Sequence, residues 1–118
     1  MTKFVMLARM AAWPAVVAIV VLSVVPGSVR PHVLGNDRAE HFIAYLIAGM
    51  LFAIGYMRPL QLLWSGVMLT LFAGGLEFVQ LLIPGRLASP RDFIASTIGA
   101  WIGFLAVVTI GHARGRIR

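Results

Sequence analysis

The sequence predicts an all-α fold: a polytopic membrane protein built as a bundle of four transmembrane helices with short loops. Three observations carry that expectation. Of the 118 residues, 60% are hydrophobic and 12% charged, with a mean hydropathy of +0.93, which leaves too little polar surface to coat a soluble globule. The apolar residues gather into four runs. Each is near the roughly 20 residues that a helix rising about 1.5 Å per residue needs to cross a hydrocarbon core of about 30 Å. The connections are short and punctuated, so residues 1–118 read as a single domain.

The first span covers residues 6–25 and is closed by Pro26, Gly27 and Ser28. Lys3 and Arg9, with a cleavable Val25, Pro26 and Gly27, would also suit a signal peptide, but the apolar run is long for one. The second span, 40–56, follows Asp37, with Glu40 three residues on as in a capping box. Arg58 and Pro59 separate it from the third, 60–83. Pro84, Gly85 and Pro90 bracket the next loop. Ser89 as cap, Pro90 at the first helical position and Asp92 two residues later then open the fourth span, 92–110.

A net charge of +6 raises the question of nucleic acid. The Lys and Arg residues are scattered between apolar blocks, however, with no basic stripe interleaved with exposed aromatics, and no nucleic-acid partner is expected. Their distribution is topological instead. With the N-terminus inside, Lys3, Arg9, Arg58, Arg114, Arg116 and Arg118 are cytoplasmic, six of the ten, against Arg30, Arg38, Arg86 and Arg91 outside. The expected location is a bacterial inner membrane with both termini cytoplasmic. Cysteine is absent, which excludes disulfides and thiolate chemistry.

On a 3.6-residue repeat, His41, Tyr45, Ala48, Phe52 and Gly55 share one face of the second span. Gly66, Thr70, Ala73, Glu77 and Gln80 share one on the third, and Asp92, Ser96, Gly99 and Gly103 one on the fourth. Small residues let helix backbones approach closely in lipid, so the polar residues on these stripes are expected to point into the bundle. The second span starts, the third ends and the fourth starts on the outer side. A polar pocket is therefore expected near the outer interface, with helix N-termini and nearby Arg38, Arg86 and Arg91 favouring an anionic group. Glu77 stands out, since an ionisable side chain within an apolar span costs roughly 2.5 to 3.5 kcal/mol on insertion scales. Pairing with Arg86, or a proton shared with His41, would offset that cost. Trp13, Trp64 and Trp101 read as interface anchors or lipid-facing bulk.

These residues carry a resemblance. Asn36 to Tyr45 (NDRAEHFIAY) resembles the D-K-x-x-H-F-x-A-Y signature of VanZ-like membrane proteins, with Arg38 in place of the usual Lys. Gly75-Leu76-Glu77-Phe78-Val79-Gln80 followed by Pro84-Gly85-Arg86 resembles their G-x-x-E-x-x-Q…P-G-R run. Ser89 to Ala100 resembles their S-x-x-D-x-x-A-N-x-x-G segment, with Ser96 where Asn is usual. The resemblance spans most of the chain and implies Asp37, His41, Tyr45, Glu77, Gln80, Arg86, Ser89 and Asp92 as ligand-binding residues. The family is named for a protein associated with resistance to the glycopeptide teicoplanin, which points to the cell envelope.

Three functions stay open. One, ranked first because charges of both signs converge there, is binding of an anionic membrane lipid or lipid-linked envelope precursor in the outer-face pocket, or else an influence on glycopeptide susceptibility. Another is an intramembrane enzyme acting on a lipid headgroup, with His41, Glu77 and Asp92 as catalytic candidates. The last is a structural or accessory subunit, as a homo-oligomer or with a membrane partner protein. No cofactor is expected. No spaced metal-ligand set is visible either, although His41, Glu77 and Asp92 together could hold a divalent ion.

Overall fold

The computed structural model describes residues 2–25, 37–83, 85 and 89–115, with the side chain of Asp37 excepted. Four helices follow one another: α1 Lys3–Val24, α2 Asp37–Gly55, α3 Pro59–Gln80 and α4 Pro90–Ala113. Each is long and apolar enough to cross a membrane, and no strand occurs among the described residues. The chain is a multi-pass membrane protein.

The helix ends differ from the expected spans for local reasons. α1 begins at Lys3 because the Thr2 hydroxyl caps it, accepting the Val5 N–H at 3.2 Å. α2 is helical from Asp37 onward, three residues before the expected start of the span. α3 starts with Pro59 at its first position after an extended Arg58. Its α-ladder stops at Gln80, not Ile83. The N–H groups of Leu81, Leu82 and Ile83 turn back to the carbonyls of Phe78, Val79 and Gln80, the tighter three-residue closure of a terminal turn. α4 begins as read, with Ser89 Oγ accepting the Arg91 N–H at 3.2 Å and Pro90 next. It runs on to Ala113 and closes over Gly115, whose φ of 67° suits a residue without a Cβ.

α2 is the centre of the bundle. It packs on α1, α3 and α4, most extensively on α4, and α1 and α4 do not meet among the described residues. The α2–α4 seam is backbone against backbone. A Cβ at Gly99 would collide with the Phe42 carbonyl oxygen, one at Gly103 with that of Leu46, and one at Gly49 with that of Ala100. Small residues thus do here what they do between membrane helices generally: without a hydrophobic drive in lipid, close van der Waals approach holds the pair. Tyr45, Ala48, Phe52, Leu69, Ala100 and Phe104 fill the interior. The outer faces carry exposed Leu63, Leu71, Phe78, Ile94 and Leu105, as a lipid solvent requires.

Two aromatic assignments separate. Trp13 and Trp64 are exposed, but Trp101 is not lipid-facing bulk. Its ring fills the space over Gly66 on α3, and its Nε1 donates to Thr70 Oγ1 at 3.0 Å. At the bundle end formed by the start of α1 and the end of α2, Arg9 Nε donates to the Gly55 carbonyl at 2.5 Å. Its guanidinium lies 4.7 Å from the centre of the Tyr56 ring.

Candidate functional site

In an up-and-down bundle the first turn of α2, the last turn of α3 and the first turn of α4 share one end. That topology brings His41, Glu77 and Asp92 together. One ligating atom from each, an imidazole nitrogen and two carboxylate oxygens, lies within 4.8 Å of the others. Asp92 is 7% exposed, and His41 and Glu77 are half-buried. The small residues on the inner faces cause the convergence, because glycines at 49, 99 and 103 let α4 lie close enough to α2 for short side chains to meet.

Neighbours orient the two acids. Glu77 Oε2 accepts the Ser89 backbone N–H at 3.0 Å. Arg38 Nε stands 3.5 Å from Asp92 Oδ1, with the arginine side chain half exposed. At an effective dielectric of about 20, two carboxylates near 5 Å apart repel by roughly 3 kcal/mol. Arg38 relieves part of that repulsion.

The other expected site residues distribute around this cluster. Tyr45, one turn below His41, is 1% exposed and within electrostatic reach of Glu77. Gln80 is not in the cluster: it is 3% exposed, and its Nε2 donates to the Ser23 carbonyl at 3.1 Å, tying α3 to the end of α1. Ser89 contributes its main-chain N–H to Glu77 and its hydroxyl to the α4 cap. Arg86 lies outside the described residues, as does the side chain of Asp37.

Two grooves open sideways from this end. One, of about 400 Å³ between α3 and α4, is walled by Gly74, Phe78, Leu81 and Phe93 and reaches Glu77 and Ser89. The other, of about 390 Å³ between α2 and α4, is walled by Phe42, Ile94, Ala95 and Ile98, with Arg38 and Arg91 at its polar end. Sequence reading missed the second groove. Its signal was nevertheless present, since Arg91, Ala95 and Ile98 recur at helical spacing on the face of α4 opposite Phe93.

A family model described as VanZ/LLP1 matches residues 2–111, nearly the whole chain. No curated protein and no solved structure matches it.

Proposed function

This chain belongs to the VanZ/LLP1 family, and from that premise we propose that it binds an anionic lipid or lipid-linked envelope precursor at the polar end of its bundle. The supporting observation is the α2–α4 groove. Its walls of Phe42, Ile94, Ala95 and Ile98 suit an acyl or isoprenoid chain, and Arg38 and Arg91 stand where a headgroup phosphate would lie. Guanidinium groups bind phosphate oxygens in a two-pronged geometry, and their charge gains force beside a low-dielectric medium. Arg38 is held at the polar end of the groove by its contact with Asp92. The sequence carries a further cation, Arg86, on the short connection into α4, outside the described residues.

The site faces outward from a bacterial inner membrane, with both termini cytoplasmic, on the strength of the six-to-four distribution of Lys and Arg. Ligand contact then belongs to Arg38 and Arg91, while His41, Glu77 and Asp92 form the polar floor beside them. Tyr45 packs beneath the cluster, and Gln80, at the end of α3, ties that helix to the end of α1.

Native mass spectrometry of gently purified protein tests this. Wild type should carry anionic lipid through purification, and Arg38→Gln/Arg91→Gln should lose at least about ten-fold of it, a change of about 1.4 kcal/mol, while still melting cooperatively, at a temperature lowered by loss of the Arg38–Asp92 contact. Equal retention of anionic lipid by the still-folded double variant would refute the proposal.

A further inference from the structure

We propose that His41, Glu77 and Asp92 form a divalent-cation site, with zinc as the best-fitting ion. This goes beyond lipid binding and stands on the donor set alone. The three ligating atoms come from three different helices and lie within 4.8 Å of one another. Bonds of about 2.0 Å to a tetrahedral ion place donors ~3.3 Å apart, so closing the set needs only side-chain adjustment, with no helix moved.

The donor chemistry favours zinc over calcium or magnesium. One imidazole with two carboxylates is the mixed nitrogen and oxygen set that zinc accepts, whereas calcium and magnesium take oxygen ligands throughout. Three protein donors leave a fourth tetrahedral position open for an exchangeable oxygen ligand. Both carboxylates already have the outer partners that metal-binding acids use to fix their orientation: the Ser89 N–H on Glu77 and Arg38 beside Asp92. A carboxylate offers about four lone-pair sites on two oxygens, so each of these contacts is compatible with a metal bond. The α3–α4 groove, which reaches Glu77 and Ser89, is the path by which an ion and its water would enter. No local spacing displays the site in the sequence, because its donors are joined only by the topology.

The test uses full-length protein in detergent, stripped with chelator, dialysed against zinc and assayed for bound metal and for affinity by calorimetry. Wild type should hold about one zinc per chain, and His41→Ala, Glu77→Gln and Asp92→Asn should each weaken binding at least about 100-fold. Glu40→Gln, which removes a neighbouring carboxylate outside the donor set, should keep zinc. Melting curves identify any variant that fails to fold, and zinc should raise the wild-type melting temperature without raising that of Glu77→Gln. Wild type that binds no more zinc than Glu77→Gln would overturn the site, and so would loss of zinc in Glu40→Gln as complete as in the donor variants. Lipid retention is scored separately, so failure of the cation site and failure of lipid binding are distinguishable.

Discussion

The Ser89 main-chain N–H donates to Glu77 Oε2 at 3.0 Å, so the residue that caps α4 also holds the acid that lies within α3. The cap and the polar cluster are therefore one piece of structure with two separable parts. Ser89→Ala removes the hydroxyl that accepts the Arg91 N–H but leaves the bond to Glu77. We expect it to cost about 1 kcal/mol in denaturation experiments, with lipid retention unchanged. Loss of lipid at that modest cost would mean the hydroxyl itself touches the ligand.

The α2–α4 seam predicts opposite signs for one substitution at two glycines. A Cβ at Gly99 meets the Phe42 carbonyl, backbone that has no side-chain freedom to yield, whereas one at Gly75 meets nothing within 4 Å. Gly99→Ala should destabilise by about 1–3 kcal/mol, and Gly75→Ala should be neutral or stabilise by up to about 1 kcal/mol. Unfolding in a common detergent compares the pair.

At the opposite end, Arg9 bonds the Gly55 carbonyl and stacks on Tyr56, whose hydroxyl accepts from Trp13 Nε1 at 3.1 Å. A lysine carries the charge but not the flat fork. Arg9→Lys should cost roughly 1–2 kcal/mol and Tyr56→Phe about 1 kcal/mol. Neither should alter lipid retention, because both lie a full helix length from Arg38 and Arg91.

Much of this molecule was legible in its sequence. The apolar runs and their prolines display the four helices, and the stripe of His41, Tyr45, Ala48 and Phe52 does turn inward on α2. What the period cannot display is the partner each polar residue meets, which depends on helix rotation and vertical register. Gln80 shares a stripe with Glu77, yet it reaches the end of α1 and not the cluster. Trp101 reads as an anchor, yet the glycine at 66 opens a space for it between α3 and α4. Arg9 reads as a topology signal, yet it is also a bridge between α1 and α2.

Orientation has its own test. The chain has no cysteine, so single cysteines report without background. Leu82→Cys, at the exposed turn after α3, should react with a membrane-impermeant maleimide on intact cells. Arg114→Cys, exposed past the end of α4, should react only after permeabilisation. The reverse pattern would place the polar end in the cytoplasm.

Photocrosslinking in vesicles addresses the lipid site most directly. Phosphatidylglycerol with a diazirine in its acyl chain should label Phe42, Ile94 and Ile98 well above the exposed lipid-facing residues Phe4, Met10 and Leu71, and Arg38→Gln/Arg91→Gln should erase that preference. Labelling spread evenly over all exposed apolar residues, unchanged in the double variant, would show that the groove holds only passing lipid and would contradict the account.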